Sequence, residues 1–242
     1  MLHEHSKFFN FKCVCYHDFM FLEDILFPKF CLGCGLIGAY ICLRCEKKLQ
    51  YREHDICPYC YKRSMYGFTH PNCRRRLGLD GAQSVFQYNP LFRKLIKNFK
   101  YRSASKIFEE LKQVILPSML QKIYIPPNAY LNPIPLHPLR QKERGFNQAH
   151  LVAEYFATYF HLPLTQVLTR VKETKAQAQL TKPEDRIANM RNAFTVLENF
   201  SIPQTIILVD DVLTSGATLK EAAHVIKHHG VKHVFALTLA HG

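Results

Sequence analysis

The chain has 242 residues and a formal net charge of +13, with 48% hydrophobic and 21% charged residues. That length suits one medium α/β domain plus a small accessory module, and the composition is that of a folded protein. No run approaches the roughly eighteen apolar residues of a membrane span, and the aromatic N-terminus, broken by Lys12, His17 and Asp18, lacks the apolar core and cleavage site of a signal peptide.

Charge placement says more than its total. Ten Lys or Arg from Lys29 to Arg76 meet three acids, and the stretch from Arg93 to Lys106 holds six bases and no acid. Two such blocks point to nucleic acid or polyphosphate; a solvated surface is the plainer alternative.

In chain order, residues 1–21 fit no element. Met20 is a candidate start, and Cys13 and Cys15 receive no role. Residues 22–76 read as a zinc-ribbon module, because seven of the nine cysteines lie between Cys31 and Cys73. Cys31-x-x-Cys34, Cys42-x-x-Cys45 and Cys57-x-x-Cys60 each space two thiolates to meet one tetrahedral metal. Gly35 follows Cys34, where the knuckle needs positive φ. Cys31, Cys34, Cys42 and Cys45 make one structural Zn2+ site. Cys57, Cys60 and Cys73, with His70 as fourth ligand, make a second. An interleaved arrangement, with the first and third pairs sharing an ion, is the alternative. A disulfide cluster is weaker, since the rest of the chain reads as cytosolic. A segment this poor in aliphatics would take its folding energy from metal. Tyr51, Tyr59, Tyr61 and Tyr66 sit among the bases, as stacking platforms for nucleobases or as small-core residues.

The basic run Arg74, Arg75 and Arg76, then Gly78 and Gly81, mark a boundary, and residues 77–242 read as the second domain. Residues 84–88 alternate as a strand. Phe92, Leu95, Ile96 and Phe99 recur at helical spacing, with Arg93, Lys97 and Lys100 on another face. Residues 107–120 continue as helix, and 129–136 form a strand broken by prolines. A long helix begins near Asn147 with Leu151, Val152, Tyr155, Phe156, Tyr159 and Phe160 on its apolar side. Residues 205–209 are a buried strand. Leu219, Ala222, Ala223 and Ile226 mark the next helix, and 231–240 close the chain as a strand. Strands alternating with helices imply a mainly parallel sheet covered on both faces.

The strand ending at Val209 is followed by Asp210 and Asp211, then by Thr214, Ser215, Gly216, Ala217 and Thr218 at a helix start. Ligands in parallel α/β sheets bind at the carboxyl ends of strands. Small hydroxyl residues around a glycine let backbone N–H groups wrap an anion at the helix N-terminus. Two acids just before the loop can reach ribose hydroxyls. Neither the Walker loop nor G-x-G-x-x-G is present; a plain capped strand-to-helix turn is the alternative.

This stretch resembles the thirteen-residue signature of type I phosphoribosyltransferases. The resemblance implies that Asp210 and Asp211 hold the ribose 2′ and 3′ hydroxyls, that Val209 and the loop bind the 5′-phosphate, and that the ligand is phosphoribosyl diphosphate with Mg2+. It also implies the type I phosphoribosyltransferase fold. Residues 132–154 (NPIPLHPLRQKERGFNQAHLVAE) are similar to a segment of the ComF competence proteins. So are residues 172–194, through Thr174, Gln177, Leu180, Arg186, Asn189, Ala193 and Phe194. The family's zinc ribbon begins at ILFP (25–28), and the resemblance runs from about Leu22 to Gly242. It implies a pyrophosphate loop with His137, Arg140, Lys142 and Arg144, and a water-excluding lid with Lys172, Gln177 and Arg186. Gly145 would allow close approach to the sheet or ligand. The glycine usual after the basic segment is absent from Lys100 to Ala104, and the second knuckle is less regular than usual.

The function implied is that of a cytoplasmic natural-transformation protein, peripheral at the inner membrane through its partners. It would handle incoming single-stranded DNA beside the uptake helicase and inner-membrane channel. Arg74, Arg75, Arg76, Arg93, Lys97, Lys100 and Arg102 would meet the nucleic acid. An active phosphoribosyltransferase acting on a nitrogen nucleophile is the alternative, and a binder of phosphoribosyl diphosphate or of DNA ends is a third reading.

Overall fold

A computed structural model describes residues 28–99, 104–174, 182–197 and 203–242. The sheet is built around the apolar run Ile206–Val209. It lies in β5 (Thr205–Leu213), and all four of its side chains are buried. Ile207 and Val209 pack in one hydrophobic cluster, while Ile206 and Leu208 pack in another. Alternation along the strand therefore feeds two cores, one on each face of the sheet.

Four strands form that sheet in the order β1 (Gly81–Gln87), β6 (His233–His241), β5 and β2 (Ala129–Pro133), all parallel. Pro133 cannot donate a ladder hydrogen bond and sits at the end of the edge strand, where none is needed. One face is covered by α2 (Pro90–Asn98), α3 (Ala104–Val114) and α6 (Gln148–Phe160). Asn147 starts α6 by accepting from the Ala149 N–H at 3.0 Å. Phe92, Phe156 and Leu111 are fully buried there, each worth roughly 1.5–3 kcal/mol in transfer from water. The other face is covered by α8 (Ala217–His228), through Leu219, Ala222, Ala223 and Ile226.

The short helices α1 (Leu43–Glu46), α4 (Pro117–Leu120) and α5 (Pro138–Arg144) lie in connections. A separate antiparallel pair, β3 (Leu168–Arg170) with β4 (Phe194–Val196), flanks α7 (Pro183–Met190). Met190, Ala193 and Phe194 pack into the core that α8 covers. This part of the segment expected as a lid is thus a packed arm; residues 175–181, with Gln177, lie outside the described residues, as do Lys100 and Arg102.

Several boundaries differ from the sequence reading. The helical stretch 107–120 is two helices, split before Pro117, whose ring ends the first and starts the second. β5 continues through both acids to Leu213, because β6 runs alongside it to His241 and supplies ladder partners. Gly145 makes no close approach to the sheet, since a Cβ there would meet nothing within 4 Å; it caps α5 in the left-handed conformation.

The cysteine-rich part does not stand apart from the sheet. Gln50 and Arg52 hydrogen-bond β1 through Gln87 N to Gln50 O at 2.8 Å and Arg52 N to Val85 O at 3.0 Å. Tyr51 stacks on Phe86 with ring centroids 4.9 Å apart. Asp80, at the junction, accepts from Lys227 Nζ at 2.8 Å and from the Val234 N–H at 2.7 Å.

Candidate functional site

Pairing of β2 with β5 stops before the carboxyl end of β5, which leaves a gap in the sheet there. The last β2 partner of β5 is Val209, whose carbonyl accepts from Ile134 N at 2.9 Å. Beyond it β2 turns away, leaving Asp210 and Asp211 half-buried beside the gap. Asp210 Oδ1 accepts from the Asp211 N–H at 2.8 Å, which orients the first carboxylate on its own backbone. Thr214 and Ser215 then lead to Gly216, whose φ of +69° makes it the left-handed residue before α8. That conformation costs an L-residue with a Cβ about 1–2 kcal/mol. Ser215 Oγ accepts weakly from the Ala217 N–H at 3.4 Å. Ala217 and Thr218 begin α8, whose first N–H groups have no intrahelical acceptor.

The expected pyrophosphate loop follows β2. His137 precedes α5, with its Nδ1 buried and without a hydrogen-bond partner. Arg140 donates to the Thr174 carbonyl, and Arg144 donates to Gln148 Oε1 at 3.1 Å. Lys142 is exposed on α5. Arg170 of β3, a residue the sequence reading missed, lies near Arg140, Arg144 and Asp210. It is buried, donates to Thr174 Oγ1 and lies 5.6 Å from the Phe194 ring centroid. Burial, reinforced by Arg140 and Arg144 and opposed by Asp210, brings its guanidinium down to about 10, so it stays charged at neutral pH. No local signal marked it, because its burial comes from the packing of β3. Lys172 and Arg186, expected in a lid, both lie in the 172–194 segment. Lys172 donates to the Arg191 carbonyl at 3.2 Å, and Arg186 lies half-buried on α7.

Two metal-ligand clusters form, and the pairing is sequential rather than interleaved. Cys31, Cys34, Cys42 and Cys45 bring their sulfurs within 4.8 Å of one another, and so do the ligand atoms of Cys57, Cys60, His70 and Cys73. Interleaving fails because Cys42 and Cys45, carried by α1 and the turn before it, close over Cys31 and Cys34. Cys34 and Cys42 Sγ are 3.6 Å apart. Tetrahedral Zn2+ with bonds of about 2.3 Å would set sulfurs about 3.8 Å apart, so the cluster fits the ion. Burial and hydrogen bonds to its neighbour sulfurs push the Cys45 thiol up to about 12. Four thiolates so close need a cation among them. In the second cluster His70 Nε2 is 3.1 Å from the Arg63 carbonyl, a placement that leaves Nδ1 for metal, 3.2 Å from Cys60 Sγ. Gly35 has a φ of +79°, as the knuckle requires.

Of the cations expected to meet nucleic acid, Arg74, Arg75, Arg76, Arg93 and Lys97 are exposed. Arg93 and Lys97 stand on α2 opposite Phe92, Leu95 and Ile96, which are buried. Arg75 also covers the Tyr59 ring, 5.2 Å from its centroid. Tyr51 and Tyr59 are structural: Tyr51 Oη donates to the Val114 carbonyl, and Tyr59 Oη accepts from Leu79 N at 2.9 Å. Tyr61 reaches the loop before α8, where its Oη donates to the Ser215 carbonyl at 3.1 Å. Tyr66 is 46% exposed and packs its ring against those of Phe68 and Tyr124, at 6.0 and 5.8 Å between centroids. Among the described residues no helix is long and apolar enough to cross a membrane.

Comparison with known proteins agrees with this geometry. The phosphoribosyl transferase domain family matches residues 144–242. The chain is 32% identical over 197 residues to competence protein ComFC of Bacillus subtilis, covering 78% of this chain and 79% of that one. It is 28% identical over 245 residues to competence protein F of Haemophilus influenzae, covering 97% and 98%. It is 27% identical over 217 residues to the DNA utilization protein YhgH of Escherichia coli K12, covering 84% and 92%. With a phosphoribosyl transferase domain behind a cysteine-rich module able to hold metal, the chain belongs to the ComF family of competence proteins.

Proposed function

We propose that the protein acts in DNA uptake, handling incoming single-stranded DNA in the cytoplasm and binding phosphoribosyl diphosphate, or a phosphoribosyl group, at the Asp210–Thr218 loop. One observation carries the ligand reading: the acids and the Gly216 turn lie at the carboxyl end of β5, past its last pairing with β2 and directly before α8. Asp210 and Asp211 would hold the ribose and the α8 N-terminus the 5′-phosphate, with Mg2+ carried by the diphosphate. Relatives named for competence and DNA utilization support the uptake role. Exposed Arg93 and Lys97 on α2, together with Arg74 and Arg76, support contact with the DNA backbone. The partners expected are the uptake helicase and the inner-membrane channel.

The DNA arm is tested by titrating single-stranded oligonucleotide at several salt concentrations. Binding should weaken as salt rises, and Arg93→Glu with Lys97→Glu should flatten the slope by about 1.4, or roughly 0.7 for each phosphate no longer neutralised. No binding at low salt would sink it.

A second reading, turnover by the same site, is favoured by Arg170, whose buried guanidinium lies near Arg140, Arg144 and Asp210. Such a group suits a departing pyrophosphate. Pyrophosphate release on a panel of purines, pyrimidines and amines tests it, and uniform silence would leave a binding protein.

A further inference from the structure

The phosphate loop is braced from outside its own domain. Tyr61 follows Cys60 directly, has a φ of 58° and donates its N–H to the Cys57 carbonyl at 3.0 Å. Its ring is therefore positioned by the Cys57–Cys60 knuckle. From there its hydroxyl reaches the Ser215 carbonyl at 3.1 Å. Lys220, in the first turn of α8, donates to the same carbonyl at 2.8 Å and lies 3.4 Å from Tyr61 Oη. Its ammonium is 5.1 Å from the Tyr59 ring centroid and 5.4 Å from that of Tyr61. Two donors thus converge on one backbone oxygen within the loop, and the knuckle's aromatic rings flank the cation.

The consequence follows from peptide geometry. The Ser215 carbonyl and the Gly216 N–H belong to one planar trans peptide and point in opposite directions. Holding the carbonyl on the knuckle side turns the Gly216 N–H to the other side. Gly216 would otherwise be the freest residue of the loop. We propose that Lys220 and Tyr61 are positioning residues that aim the Gly216 N–H at the ligand's phosphate, so that the second metal knuckle is part of the loop's support. The proposal rests on the reading of this loop as a phosphoribosyl site. A neutral side chain could fill the space beside the tyrosines, yet an ammonium stands there despite a burial cost that pulls its pKa down to about 8.

The test uses full-length protein loaded with zinc, with ribose 5-phosphate as probe. Calorimetry gives affinity, and 15N NMR follows the Gly216 amide. Lys220→Met should weaken binding about tenfold, the effect of losing one hydrogen bond from a charged donor. Tyr61→Phe should weaken it a few-fold, and the double variant should fall short of the product, because both side chains act on one carbonyl. Lys220→Arg should recover most of the affinity. The downfield shift of the Gly216 amide on ligand addition should shrink in Lys220→Met while zinc content holds and melting temperature does not fall. Wild-type affinity and an unchanged Gly216 shift in both single variants would overturn the positioning role alone. Absence of ribose 5-phosphate binding in the wild-type protein would overturn the phosphoribosyl reading and this inference with it.

Discussion

Replacing Gly216 by alanine probes the loop at its tightest point. The residue has a φ of +69°, and a Cβ there would lie 3.0 Å from Lys220 Cε and 3.2 Å from Leu213 Cδ1. The left-handed conformation alone costs alanine about 1–2 kcal/mol. Lys220 can swing its flexible end aside, but only by loosening its bond to the Ser215 carbonyl. If the loop keeps its shape, the cost appears as lost stability, about 2–8 °C in melting temperature at this chain length. If the loop relaxes when empty, the cost appears as a fall in ribose 5-phosphate affinity of roughly 5- to 30-fold. Thermal unfolding and calorimetry on Gly216→Ala measure both. Wild-type values in the two together would refute the left-handed loop and the bracing argued from it.

Metal analysis should find two zinc ions per chain, and Cys60→Ser should keep the ion bound by Cys31, Cys34, Cys42 and Cys45 while weakening ribose 5-phosphate binding; one shared ion would contradict sequential pairing. Asp80→Ala leaves the Lys227 ammonium, 7% exposed, without its carboxylate, and should cost about 3 kcal/mol or roughly 6–12 °C of melting temperature; a shift under a degree or so would show the junction to be slack. Lys220 links pH to both binding and stability. Burial and nearby Arg75 lower its pKa from 10.5 to about 8. Affinity for phosphate should fall as pH rises through about 8, where the ammonium that holds Ser215 loses its proton. Stability moves the other way: the unfolded chain binds the extra proton between about 8 and 10.5, so the cost of burying the cation lifts over that window. An affinity flat across pH 7 to 9.5 would argue against Lys220 as the charged donor.

What could be read from the sequence divides along contact distance. The run Ile206–Val209, the acids and the TSGAT turn form one local strand–loop–helix unit, so their pattern declared the structure and suggested a ligand class. The paired cysteines were equally legible, because a two-residue gap constrains two sulfurs by itself. Tyr61 and Ser215 stand 154 positions apart, and no local pattern announces that they meet. Arg170 looked like one more base in a basic chain until β3 carried it inward, near Asp210 and α5. The length of β5 was misjudged for a similar reason. Its polar end is held as strand by β6, a partner contributed by the last residues of the chain. The tyrosines of the cysteine-rich part were open to two readings, and tertiary packing divided them, with Tyr51 and Tyr59 half-buried and hydrogen-bonded to backbone and Tyr66 exposed.

Calorimetry with phosphoribosyl diphosphate and Mg2+ tests the central claim most directly, comparing the wild-type protein with the variant carrying Asp210→Asn and Asp211→Asn. The account predicts one saturable site in the wild-type chain and loss of most of its affinity in the variant, with zinc content unchanged. No binding by the wild-type chain, or equal affinity in the two proteins, would contradict it.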